Sequence, residues 1–121
     1  MIADHRHVGI WGPVWFPSLP NAWWKGNSQG QTQPVGRLSP NAWGLFDMYG
    51  NVLEWCEDWY GPYQAGVVSD PRGPSTGLER VLKGGGWGDD GGACRSAFRH
   101  GRDPGNWAKY FGFRIARTIA P

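Results

Sequence analysis

The sequence predicts a small, loop-rich globule pinned by aromatic side chains and carrying short strands, not a helical bundle. Three observations predict it. Twenty glycines and ten prolines among 121 residues interrupt almost every window long enough for a three-turn helix. Nine tryptophans, five phenylalanines and four tyrosines supply apolar area that a disordered Gly/Pro-rich chain lacks. In Tyr110–Arg117, Phe111, Phe113 and Ile115 alternate with Gly112, Arg114 and Ala116, the two-residue period of a strand. A chain of this length holds one domain, expected over 1–121.

Residues 1–33 are expected to be irregular: MIADHRH is polar, GIWGPVWFPSLP is aromatic with breakers, and NAWWKGNSQG is loop chemistry with an aromatic pair. The tetrapeptide PNAW occurs at Pro20–Trp23 and Pro40–Trp43. The residues after the two copies diverge, so it reads as one turn used twice and not as a solenoid repeat. From Val52 to Trp59 the apolar positions fit both a strand face and a helical one; the Trp and Cys content and the preceding glycine favour a strand. Tyr60–Gly77, with GPYQ and DPRGPSTG, predicts a long surface loop. A strand is expected next at Glu79–Lys83 and runs into Gly84, Gly85 and Gly86, where the backbone must approach something closely or take positive φ.

Charge and motifs exclude several functions. The formal charge is +2 with Lys and Arg scattered, so the electrostatic footprint of a nucleic-acid binder is missing. The longest apolar stretch, Val8–Leu19, is broken by Gly12, Pro13 and Pro17, so neither an export signal nor a membrane span is expected and the localisation stays open. Cys56 and Cys94 leave the redox compartment open: they are a pair or two free thiols. No Ser-His-Asp order, P-loop or GxGxxG is present. His5 and His7 read as a solvated tail, and no metal is assigned to them or to His100.

Taken in order, PVGRLSPNAWGLFDMYGNVLEWCEDWY, DPRGPSTGLERVLKGGGW and CRSAFRHGRDPGNWAKYFGFRIAR resemble successive blocks of the formylglycine-generating enzyme family, the sulfatase-modifying factors. The resemblance spans roughly 34–117. It implies an α+β, C-type-lectin-like fold with much irregular structure around small antiparallel sheets. Family members usually carry a longer stretch ahead of the block resembling NAWWKGN, where this chain has about twenty residues. The chain is therefore expected to match the C-terminal half of such a domain or a trimmed version of it, with a partner chain supplying the rest as one alternative.

The resemblance also implies sites. Positions matching Asp47, Gly50, Val52 and Glu54 hold calcium in the family, the outer two through side-chain oxygens and the inner two through carbonyls; an all-oxygen set suits that ion. The alternative is that Asp47 caps a turn and Glu54 pairs with Arg99 or Arg114. Oxidase members use two cysteines soon after a Gly-Gly-Ser to bind copper and oxidise a substrate cysteine to formylglycine. Here Asp89 stands at the first cysteine, Gly86 at the serine, and Leu53 where a tryptophan is expected. Cys94 matches either the second cysteine or a framework position of the CRSA pattern. Copper-dependent oxidation by this chain alone is not expected, since soft thiolates are what Cu(I) takes. Cys56 and Cys94 are expected either as free thiols or as a disulfide contributing roughly 3–4 kcal/mol.

The expected function is that of a calcium-stabilised binding module. Its surface would run from Asp89 to Tyr110, where Asp89, Asp90, Phe98, His100, Arg102, Asp103, Asn106, Trp107 and Tyr110 mix polar and aromatic chemistry as adaptable binding surfaces do. The ligand is a protein or a small molecule. This region also resembles the diversified region of C-type-lectin-fold proteins from diversity-generating retroelements. The competing expectations are an oxidase completed by another chain, and a structural remnant without a ligand.

Overall fold

The computed structural model describes residues 19–117. His5, His7 and most of the Val8–Leu19 stretch lie outside the described residues. Six short strands and one 3-10 turn make up the regular structure of the described residues: β1 Ala22–Trp23, β2 Tyr49–Gly50, β3 Leu53–Trp59, β4 Arg80–Lys83, the 3-10 turn Gly91–Cys94, β5 His100–Arg102 and β6 Phe111–Phe113. Among the described residues no helix is long and apolar enough to cross a membrane.

Four strands form the main sheet in the order β5-β4-β3-β6. β3 pairs antiparallel with β4, with Trp55 opposite Leu82 and Glu54 opposite Lys83. β5 pairs antiparallel with β4, and β6 runs parallel to β3, with Gly112 opposite Glu54. A register shift lies between Trp55 and Trp59, where the guanidinium of Arg80 sits 3.5 Å from the Trp59 ring centroid. β1 and β2 form a separate two-stranded parallel sheet.

Expected strands over Val52–Trp59 and Glu79–Lys83 are present as β3 and β4. The expected strand over Tyr110–Arg117 is shorter, three residues, because β6 has a partner only along Leu53–Trp55. Beyond Phe113 no ladder continues, and Arg114 leaves the strand to bond Glu54, Phe46 and Asp47. The small sheets are not wholly antiparallel: β1–β2 and β3–β6 are parallel pairs.

The long-loop expectation over Tyr60–Gly77 is met, whereas the two PNAW copies form different turns and not one turn used twice. Tyr60–Gly77 holds no strand or helix, and the Tyr60 N–H to Glu79 carbonyl bond, 2.7 Å, closes its base. The second PNAW is an Asx-type turn in which the Asn41 side-chain oxygen accepts from the N–H groups of Trp43 and Leu45. The first turns through Leu19–Ala22 and feeds β1. Gly84 and Gly85 take φ of 92° and 73°.

Among the described residues the buried apolar side chains are few: Ala22, Leu53, Val81, Leu82 and Cys94. The Trp55 and Phe111 rings meet edge to face with centroids 5.5 Å apart, adding an aromatic contact to this core. Polar side chains complete it. Ser28, fully buried, donates from its hydroxyl to the Trp87 carbonyl at 2.7 Å. Asn51 is buried at φ 66° and exchanges two 3.0 Å bonds with the backbone of Gln33. Buried polar groups paired in this way lose little on leaving water.

Candidate functional site

The stretch from Asp47 to Glu54 folds back on itself because three residues adopt positive φ, Asp47 at 53° and the adjacent Gly50 at 75° and Asn51 at 66°. Gly50 is required there: a Cβ would collide with the Trp23 backbone. Asn51 is one of the few non-glycine types that tolerates this conformation. Gly50 N–H donates to the Gly84 carbonyl at 2.6 Å, Asn51 N–H to Trp23 at 2.7 Å, and the Asn51 carbonyl accepts from Trp87 at 2.8 Å. The turn therefore joins both sheets to the glycine segment after β4.

Asp47, Gly50, Val52 and Glu54 line one hollow of about 480 Å³ with Val35, Phe46, Phe113 and Arg114. Arg114 is the pivot of this hollow. Its guanidinium donates to both Glu54 oxygens, at 2.7 Å from Nη2 and 3.0 Å from Nε, and to the carbonyls of Phe46 and Asp47 at 3.0 Å each. The hydrogen bonds to Glu54, followed by the nearby carboxylate charges, raise the Arg114 pKa against the opposing effect of burial. Asp47, at φ 53°, accepts the Gly36 N–H on Oδ2 at 2.7 Å. The four residues line one hollow, and within it Asp47 holds a turn and Glu54 pairs with Arg114, the second of the two alternatives for these carboxylates. Arg99 stacks instead on Tyr63 at 3.6 Å and donates to the Gly61 carbonyl.

The donor chemistry here is all oxygen and fits a hard divalent cation. Among the described residues no three His, Cys, Asp or Glu side chains converge, so carbonyl oxygens would have to complete any such set. Arg114 would have to release Glu54 for an ion to take its oxygens.

Both cysteines are free thiols. Cys94 is 2% exposed and packs so closely under Gly85 that a Cβ there would lie 2.9 Å from its sulfur. Burial, and then Asp89, push its pKa up to about 11, so the thiol is protonated at neutral pH and a poor nucleophile. Burial and Asp58 also raise Cys56, with Lys83 opposing them. Asp89 turns inward: its Oδ2 accepts the Gly86 N–H at 2.9 Å.

The remaining expected surface residues divide into separate groups. Asp90 is exposed and pairs with Lys25 at 3.6 Å. Phe98 and His100 stack with centroids 6.3 Å apart, and Arg102 sits at the end of β5. Asp103 and Asn106 lie in a turn in which Asp103 accepts the Gly105 N–H on Oδ1 and the Asn106 N–H on its carbonyl. Trp107 is 90% exposed and Tyr110 40%. Lys109 reaches across to lie 4.9 Å from the Trp87 ring, linking this turn to the Asp89 segment. None of the nine residues lines the hollow around Arg114 or the two larger ones on the sheet.

Ser28 and Asn51 are buried polar residues that pattern reasoning passes over. The Gly-Asn pair at 50–51 is the one signal that marks the turn, since both residue types favour positive φ. Ser28 accepts the nearby Gly30 N–H at 3.3 Å, but the Trp87 carbonyl that takes its proton is 59 positions away.

The sulfatase-modifying factor enzyme 1-like domain family matches residues 4–119. The chain belongs to this family. It is 44% identical over 92 residues, 73% of its length, to the serine/threonine-protein kinase pkn1 of Chlamydia pneumoniae, of which it spans 15%. It is 36% identical over 108 residues to the formylglycine-generating enzyme of Streptomyces coelicolor, covering 85% of this chain and 34% of that one. Among solved structures, Treponema denticola variable protein 1 superposes with a TM-score of 0.74 at 38% identity, over 78% of this chain and 34% of that one. PvdO from Pseudomonas aeruginosa gives 0.69 at 33%, over 78% and 38%. These likenesses establish the loop-rich fold of the formylglycine-generating enzyme type. The chain spans between about a seventh and about two-fifths of the length of these relatives.

Proposed function

We propose that this family member is a non-catalytic binding module whose ligand meets the exposed surface between Asp89 and Tyr110. The state of Asp89, at the first oxidase cysteine's place, and of Cys94 carries the proposal. Asp89 holds a backbone turn together, and Cys94 is a buried, protonated thiol beneath Gly85. Copper ligation needs accessible thiolates. One family fold also serves chains whose names describe different activities, so fold alone carries no activity across. The exposed Trp107 and Tyr110, outside any of the three hollows, suit a protein ligand better than a small molecule, which needs a concave site.

The test has two arms. Incubation of the full chain with copper, oxygen and a Cys-x-Pro-x-Arg peptide is expected to yield no formylglycine by mass spectrometry; any product would overturn the proposal. Diversification of the same surface is a second reading, favoured by the likeness to a protein named as variable. A near-copy of the coding region for Asp89–Tyr110 beside a reverse transcriptase gene would support it, and a genomic neighbourhood with neither would count against it.

The module is stabilised by calcium in this proposal, held by Asp47 and Glu54 with oxygens of Gly50 and Val52. Support comes from the convergence of these four residues on one hollow. Because Arg114 holds both oxygens of Glu54, cation and guanidinium compete. Calcium at 100 times its Kd is expected to raise stability by about 2.7 kcal/mol, and Arg114→Ala to tighten binding measured by calorimetry. Absence of a heat and of a melting shift in both proteins would remove calcium from the proposal.

A further inference from the structure

Residues 37–46 link firmly bonded ends, where Gly36 meets Asp47 and Gln33 meets Asn51, yet they are held little themselves. Among the described residues their hydrogen bonds run almost wholly within the segment. The Asn41 side-chain oxygen accepts from Trp43 and Leu45, Asn41 N–H donates to the Leu45 carbonyl, and Gly44 N–H donates to the Asn41 carbonyl. One bond alone joins the segment to the body, from Arg114 Nη1 to the Phe46 carbonyl at 3.0 Å. Packing adds little: Trp43 is 81% exposed, and no side chain from 37 to 46 is buried.

The same guanidinium is bound to a carboxylate that the proposed calcium ion would take. Arg114 Nε and Nη2 hold the two Glu54 oxygens at 3.0 and 2.7 Å, and Nη2 also donates to the Asp47 carbonyl. Carboxylate oxygens have lone pairs to spare, so hydrogen bonding by itself does not force an exchange. Charge does. An ion at about 2.4 Å from a Glu54 oxygen would stand within about 5 Å of the guanidinium nitrogen that holds it, and a divalent and a monovalent cation that close repel one another strongly. Arg114 also lines the neighbouring hollow of about 690 Å³, which gives the displaced guanidinium room. We infer that Arg114 is a calcium-released latch: it ties 37–46 to the sheet in the ion-free protein and lets the segment go when the ion takes Glu54. Its release presupposes the calcium ion proposed above; the tie itself does not. Calcium thus draws Asp47 towards Gly50, Val52 and Glu54 while it frees the exposed Trp43 turn, which keeps its internal bonds.

Nitrogen relaxation and calorimetry on the full chain, with calcium chloride against EGTA, test the latch. Amide order parameters over 37–46 are expected at about 0.85 without calcium and below about 0.6 with it at saturation. The Arg114 Nε–H signal, bonded to Glu54, should lose its slow exchange with water when calcium is added. Gln33 and Asn51, tied to each other, should stay rigid in both states. Arg114→Ala is expected to be mobile over 37–46 with or without calcium, and to bind calcium about tenfold more tightly. Arg114→Lys, which keeps the charge without the planar fork, should show the same loose segment if the alanine variant does not fold. Calcium binding that leaves the Arg114 Nε–H protected and 37–46 rigid would overturn the latch and leave the calcium site standing. A rigid segment in the folded variants would overturn the latch as well. Absence of a calcium heat in both wild type and Arg114→Ala would remove the ion, and the release of the latch with it.

Discussion

The turn at Gly50–Asn51 and the turn at Asp103–Asn106 are both short, polar and glycine-bearing, yet they are built to different ends. At the first, the backbone groups of Gly50 and Asn51 bond Gly84, Trp23 and Trp87, the Asn51 side chain bonds Gln33 twice, and both residues are buried. At the second, the bonds run within the turn itself and Trp107 stands in solvent. Connectivity distinguishes them: a turn bonded to distant segments fixes the fold, whereas a turn bonded to itself can change sequence at little cost. This is the division expected between a scaffold and the loops that carry recognition.

Substitutions measure the contrast. The largest effect is expected from Gly50→Val, which places a Cβ into the Trp23 backbone at positive φ; a loss of about 4 kcal/mol or outright unfolding should be seen in urea melts. Next is the pH response of Cys94. Its folded pKa of about 11 lies above the ordinary 9.0, so the unfolded chain releases the proton first. The stabilisation from keeping this thiol neutral is therefore full below pH 9 and lost as pH rises towards 11, by about 2–3 kcal/mol. Cys94→Ala should flatten that part of the stability curve, and a melt with the wild-type slope would refute it.

Arg114→Ala removes a bidentate pair and two carbonyl bonds at a half-exposed site, with an expected cost of about 1–2 kcal/mol. Arg114→Lys should recover little, because an ammonium cannot reproduce the planar fork. The smallest effect is expected from Trp107→Ala, within about 0.5 kcal/mol by thermal melt. A large destabilisation there would place the second turn with the scaffold and dissolve the contrast.

Much of the scaffold is legible in the sequence because it rests on local rules. β3 and β4 arise from β-prone residues bounded by glycine, and Gly84 and Gly85 adopt the positive φ their run suggests. That Asp47, Gly50, Val52 and Glu54 share one hollow has no strong signal in their spacing, and only the resemblance groups them. Alternation in Tyr110–Arg117 overstates β6, since a period says which face a residue takes and not whether a neighbour exists to pair with it. Ser28 and Asn51 escape for a related reason: each donates to a remote backbone carbonyl, and a side-chain-to-backbone bond leaves no periodic trace.

The Asn51 clip has a further consequence. Gln33 and Asn51 are joined by two bonds, and Gly36 N–H to Asp47 adds a third rung above them. The excursion between them is thus an Ω-like cassette, fastened at its neck, with the Asn41–Leu45 turn at its tip. Cleavage at that tip should leave two fragments that stay associated, and the tip is where the scaffold would accept a grafted peptide or a new pair of termini.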